Sequence, residues 1–157
     1  MVPWNLVKSW LCHSCGTCCK FYQVVLKFPE WLNIVKNFGV AYTSPSINRF
    51  LLGKRSDGSC VFLGKMANAT FCSLQHAKPQ ACKLWPFKVL DQPKYGNSRY
   101  AAYHYRNREF FIYVDSGCTG VRIGLPSPDF AYSTIPEIIE LALGVRQKQC
   151  KSTAVLP

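Results

Sequence analysis

A chain of 157 residues, 48% hydrophobic and 17% charged, fits one globular domain with a modest core and excludes a disordered one. Lys and Arg number 19 against 8 Asp and Glu, a net charge of +11 that suits an acidic or protein partner without specifying nucleic acid. No apolar run reaches membrane-spanning length, and the opening Met1 to Lys8 lacks the parts of a secretory leader, which predicts a cytoplasmic protein with reduced thiols.

The first element of note is Cys12-His13-Ser14-Cys15-Gly16-Thr17-Cys18-Cys19, four thiols in eight residues. Disulfides need a narrow distance and angle window that such crowding does not meet, whereas a soft metal or cluster needs converging thiolates. Cys12, Cys15 and Cys18 have the spacing of the first three ligands of a bacterial-type 4Fe-4S run, but the fourth cysteine here is the adjacent Cys19. Adjacent cysteines rarely ligate one ion, so Cys18 and Cys19 are expected to serve different positions.

Phe28 to Phe38 then reads as an amphipathic helix, with Pro29 in the first turn, Glu30 at the positive dipole end and Gly39 as its stop. Asn48 to Gly53 and Cys60 to Leu63 read as short strands around a Ser56-Asp57-Gly58-Ser59 turn. Tyr100 to Tyr105 and Phe110 to Val114 read as a hairpin turning at Arg106 to Glu109. Thr134-Ile135-Pro136-Glu137 matches a capping box opening a helix from about 134 to 147. These elements predict an α+β fold: a single small domain over 1–157, with short strands, two main helices and an irregular, cysteine-rich centre organised by metal.

The remaining cysteines complete a pool of candidate ligands. Cys60, Cys72, Cys82 and Cys118 sit in compact contexts, several of them beside Gly or Pro, and with Cys12, Cys15, Cys18 and Cys19 they make eight metal-ligand candidates. Eight thiols suit two tetrathiolate zinc ions, or one iron–sulfur cluster with thiols to spare. The ferredoxin-like triplet tilts the reading slightly to iron–sulfur. Cys150, in the basic tail Arg146 to Lys151, reads as a bystander at a frayed helix end.

In order along the chain, the Cys12 to Lys20 block, Gly58 to Leu63, Cys72-Ser73-Leu74 and Lys78-Pro79-Gln80-Ala81-Cys82-Lys83-Leu84-Trp85-Pro86-Phe87 resemble the cysteine-cluster (CxxCxxCC) family described as putative zinc- or iron-chelating domains. The resemblance spans roughly 12–124. It departs at Thr119, where the family tends to carry Pro, and at Leu84-Trp85, where a shorter aromatic pair is usual; neither removes a ligand. The resemblance implies metal binding through about eight thiols and supplies no settled reaction.

Other polar candidates are weaker. His13 is expected to be solvated, and His76, four residues after Cys72, is a minor candidate for a mixed thiolate–imidazole site. His104 is expected on a sheet surface. Lys20 and Lys83 each follow a cysteine and could offset thiolate charge, as could any solvated lysine. Tyr100, Tyr103, Tyr105, Arg99, Arg106 and Arg108 interleave aromatics with charge, but without a nucleic-acid-binding signature an amphipathic hairpin is favoured over base stacking. Gly-rich phosphate loops, His-Glu-x-x-His and nucleophile elbows are absent from the sequence, so the reading leans away from an enzyme. The expected function is metal binding with a redox, sensing or metal-handling role. The alternatives are a zinc-stabilised basic module that binds nucleic acid, or a redox enzyme subunit.

Overall fold

The computed structural model describes residues 1–66 and 69–151. In chain order the elements are β1 (Val2–Pro3), β2 (Val7–Trp10), α1 (Thr17–Phe21), β3 (Val25–Leu26), α2 (Phe28–Phe38), β4 (Thr43–Ser46), β5 (Arg49–Leu52), β6 (Leu63–Met66) and β7 (Ala69–Cys72). After them come α3 (Gln80–Leu84), β8 (Phe87–Leu90), α4 (Ser98–Ala101), β9 (Ala102–Tyr105), β10 (Arg108–Val114), β11 (Val121–Ile123) and α5 (Ile135–Leu143). The fold is a small α+β one, as expected, and its chain divides into two compact units: 1–13 with 83–151, and 14–82. Among the described residues, no helix is long and apolar enough to cross a membrane.

In the unit of 1–13 and 83–151, β10 is the central strand of an antiparallel sheet. It pairs β8 along one edge, and β9 and β1 along the other. Alternation along β10 sends Phe110, Ile112 and Val114 into a core with Val7, Phe87, Phe130, Ile135 and Ile139. The edge of Trp10 meets Phe87 with centroids 5.1 Å apart. A second ladder joins β2 to β11, with Val121 opposite Trp10. There Leu11 donates its N–H to the Gly120 carbonyl, and a Cβ at Gly120 would stand 2.0 Å from the Leu11 oxygen. Only glycine allows that approach.

The last helix differs from its prediction at both ends. A π-helical turn, Phe130–Thr134, runs directly into α5, so Thr134 is helical and buried rather than an N-cap. Apolar burial of Phe130 and Ala131 extends the helical path backwards and overrides the capping signal. At the far end Gly144 turns left-handed (φ 76°) and stops α5 at Leu143 rather than near Gln147. Glu137, expected to face a cap, instead accepts the backbone N–H groups of Cys150 and Lys151 at 2.8 and 3.0 Å. The tail around Cys150 is therefore tied down rather than frayed.

In the unit of 14–82, α2 has the predicted bounds. The Glu30 carboxylate accepts the Lys27 N–H at 2.8 Å, and Gly39 ends the helix at φ 98°. Trp31 stacks on Phe50 of the β3-β5-β4 sheet with centroids 4.6 Å apart, and its indole donates to Thr43 Oγ1. Leu26, Ile34, Leu52, Phe62, Leu63 and Leu74 form the core. The predicted strand at Cys60 to Leu63 is mostly a turn. Asp57 accepts both the N–H and the hydroxyl of Ser59, Cys60 makes a single bridge to Lys54, and the Leu63 N–H returns to the Cys60 carbonyl. Strand β6 starts only at Leu63, which pairs with Cys72 in β7.

Candidate metal centre

The loop ahead of α1 is shaped by two left-handed residues, Ser14 (φ 51°) and Gly16 (φ 73°). Thr70 of β7 anchors it, donating both its N–H and its hydroxyl to the Ser14 carbonyl. The Gly16 carbonyl accepts the N–H groups of Cys19 and Lys20 and so starts the helix. Cys18 and Cys19 leave that helix with their sulfurs 3.9 Å apart, and the Cys60 N–H reaches the Cys19 carbonyl at 2.7 Å.

Three thiols distant in sequence lie within electrostatic reach of Cys18: Cys60, Cys72 and Cys82. Cys60 is 8% exposed in its turn, where the Phe62 N–H points at its sulfur. Cys72 ends β7, and the N–H groups of Leu74 and Gln75 point at its sulfur. Cys82 lies in α3, in the electrostatic field of Cys18, Cys60 and Cys72. Amides aimed at a sulfur stabilise a thiolate and orient a metal ligand. The turn at Cys60 and the bend after Cys72 are each a knuckle that presents one sulfur together with its own donors.

The electrostatics of the five are those of crowded soft anions. Burial pushes the Cys60, Cys72 and Cys82 thiols up, and neighbouring thiolates add to the rise. Cys18 and Cys19 share a proton: the Cys19 thiol donating to Cys18 lowers Cys18 to about 7 and raises Cys19. Lys78, only 5% exposed, places a positive charge that favours the thiolates of Cys18, Cys72 and Cys82. Of the two lysines that follow cysteines in the sequence, Lys20 is exposed and Lys83 is half-buried.

The other candidates are placed differently. Cys15 is exposed, with its sulfur 3.1 Å from Thr17 Oγ1. Cys12 and Cys118 belong to the unit of 1–13 and 83–151, half-buried against its core at the same end of the β2–β11 ladder. Cys150 is exposed and accepts from Arg146 at 3.7 Å. All nine cysteines are free thiols. His13 is exposed, His104 pairs with Glu109 on the sheet surface, and the His76 side chain lies outside the described residues.

Among the described residues, no group of three or more His, Cys, Asp or Glu side chains is placed to hold a metal ion. An all-sulfur set with amides already directed at two sulfurs suits zinc or iron and disfavours hard cations. The separation of 3.9 Å between Cys18 and Cys19 also matches the edge of a tetrathiolate site, about 3.8 Å for metal–sulfur bonds of about 2.3 Å. Adjacency alone thus does not force the two onto different ions.

The aromatic hairpin is occupied by packing. The Tyr103 hydroxyl donates to the Ala131 carbonyl, Tyr105 to Glu140 at 2.6 Å, and Tyr113 to the Gly96 carbonyl. Arg108 pairs with Asp91 and lies over Phe110. These rings cover the sheet and its helix.

Comparison with known proteins gives one match. Residues 11–119 match the model of the CxxCxxCC family, described as a putative zinc- or iron-chelating domain, and the chain belongs to that family. No curated protein and no solved structure matches it.

Proposed function

We propose that residues 14–82 of this cysteine-cluster protein hold zinc or iron on Cys60, Cys72 and Cys82, together with Cys18, Cys19 or both. The observation that carries this reading is the gathering of five thiols from four separate segments beside a buried lysine, with backbone amides directed at Cys60 and Cys72. Packing alone does not call for such amides, because neutral thiols are weak acceptors. The bound ion would supply cross-linking of those segments. Cys12 and Cys118 belong to the other unit and are no part of this set.

A single ion is favoured over an iron–sulfur cluster. The ferredoxin-like spacing asked Cys12, Cys15 and Cys18 to converge, whereas Cys18 shares its surroundings with distant cysteines and Cys15 is exposed. The role that fits is metal handling or sensing, with the ion also holding the unit's fold. Anaerobic purification followed by visible absorption and by iron, zinc and acid-labile sulfide analysis tests this. One zinc or iron per chain without sulfide is expected. Matched iron and sulfide would replace the single ion by a cluster, and a metal-free chain would sink the reading.

A further inference from the structure

We propose that the turn between β4 and β5 is a membrane-docking tip, which seats Ile47 in the interface of an anionic lipid surface while Lys27 and Arg49 meet the headgroups. The hairpin register pairs Ser46 with Arg49, so Ile47 and Asn48 make up the whole turn. Ile47 is 98% exposed, and the core of the unit does not include it. Turns draw on Gly, Asn, Asp, Ser or Pro for backbone freedom, fixed dihedrals or local hydrogen bonds, and a β-branched aliphatic side chain supplies none of these. Neither turn chemistry nor packing accounts for an isoleucine here.

One apolar side chain alone on a surface is ordinary. A second stands at the same end of this sheet. Strand β3 runs toward the turn, with Leu26 opposite Phe50, and Phe28 follows two residues later. The Phe28 ring lies against Phe50 with centroids 5.9 Å apart, yet it is 57% exposed. Phe50 in turn stacks on Trp31, so the tip is mounted on a packed aromatic base. Lys27 precedes Phe28 and Arg49 opens β5, both exposed, which puts two cations beside the two apolar side chains.

Charge selects the partner. Residues 14–82 hold eight Lys and Arg against two acids. Glu30 is turned to the backbone N–H groups of Lys27 and Gln80, while Asp57 lies past the other end of β5, on Ser59. An anionic surface complements that balance. Apolar groups enter the acyl boundary of a bilayer while Lys and Arg keep their charges among the headgroups, the arrangement this tip presents. A nucleic acid would engage the cations but leave Ile47 unused, because stacking on bases needs a π-face. Docking of this kind lies on the membrane surface and requires no spanning helix.

The test sediments the reduced full chain, as purified, with vesicles of phosphatidylglycerol and phosphatidylcholine in equal parts, and with vesicles of phosphatidylcholine alone. A single-stranded DNA oligonucleotide is titrated in parallel. Binding to the anionic vesicles that weakens with added salt is expected, with little binding to the others. Ile47→Ser should lose affinity on the order of 10-fold and Arg49→Gln about 5-fold, each with the melting temperature of the wild type. In Ile47→Trp the added indole should be quenched by brominated lipid beyond the quenching of the wild type. Failure to bind anionic vesicles would overturn the proposal, as would equal binding to both kinds of vesicle. Wild-type affinity in Ile47→Ser would overturn it too, reducing the attraction to diffuse net charge. A chain that ignores vesicles but binds the oligonucleotide would assign the basic surface to nucleic acid instead. Should Ile47→Ser melt below the wild type, the Trp variant decides: no added quenching overturns the proposal.

Discussion

The unit of 1–13 and 83–151 buries Val7, Ile112, Val114, Ile135 and Ile139 completely, in a core built from a four-stranded sheet and a helix. The unit of 14–82 has a smaller aliphatic and aromatic set, which includes Cys60, and it buries a lysine as well. A core in a unit of that size rarely supplies more than about 3–5 kcal/mol. The first unit has the means to hold itself by hydrophobic burial. The second has gathered thiols where further apolar residues would otherwise be, and a metal would supply what its core does not. On the proposed reading the two units would be stabilised differently, and each would be open to a change that leaves the other alone.

The largest expected effect is metal removal. Structural zinc in small domains brings on the order of 10–16 kcal/mol of apparent binding energy, much of it folding energy. Chelation, or Cys60→Ala, should therefore strip hydrogen-exchange protection from α2, β5 and β6 while β8 and β10 keep theirs. Equal protection of both units before and after metal removal would contradict the contrast.

Core truncation should act the other way at a smaller scale. Phe110 is 2% exposed and packs within the β10 core, so Phe110→Ala is expected to cost about 3–5 kcal/mol through lost burial and a cavity. Its metal content should equal that of the wild type. A variant that loses both stability and metal in parallel would show that the units do not stabilise independently.

How far this contrast could be read from the residues depended on whether a signal was local. Helix α2 was legible to its bounds because Pro29, Glu30 and Gly39 act within a turn of their own positions. The hairpin was legible too, since β-branched and aromatic residues fix its strands, although Tyr100 and Ala101 belong to α4, so that β9 starts at Ala102, and the turn tightened so that β10 starts at Arg108. Cys60 to Leu63 was misread because Val61 and Phe62 look like strand residues, while the deciding interactions are the Asp57–Ser59 bonds and the closure on Leu63. Thr134 misled for the same reason in reverse: a good capping pattern lost to the burial of the turn before it. The candidate ligands were legible as residue types. Which of them share one electrostatic environment was not, because Cys18 is coupled to Cys60, Cys72 and Cys82 only through the tertiary fold, and Lys78 looks like any surface lysine until its burial is known.

The smallest predicted effect is the response of the metal-free, reduced protein to alkali. Burial raises the folded-state values of Cys60, Cys72 and Cys82 above the ordinary thiol value of 9.0. As pH climbs through that ordinary value, thiols of the unfolded chain ionise while these three stay protonated. Unfolding then releases protons, and stability falls as pH rises. Cys18 works in the opposite sense: lowered to about 7, it contributes stability that is present above the ordinary value and lost as pH falls through 7. Its neighbour Cys19 is raised, so the pair does not reverse the trend set by the other three. In the other unit Tyr103 and Tyr105 are raised from the ordinary value of 10.0, while the hydrogen bond from Lys88 lowers Tyr95, so a scan kept between about pH 8 and about pH 9 weights the thiols over the tyrosines. Hydrogen exchange corrected for intrinsic rates should show protection falling across that range in α2 and β6 but holding in β10. Bound zinc should flatten the dependence, because a metal-bound sulfur has already given up its proton. A metal-free chain whose α2 and β10 respond alike would mean that the thiols are not buried as a group, and the contrast between the units would rest on core size alone.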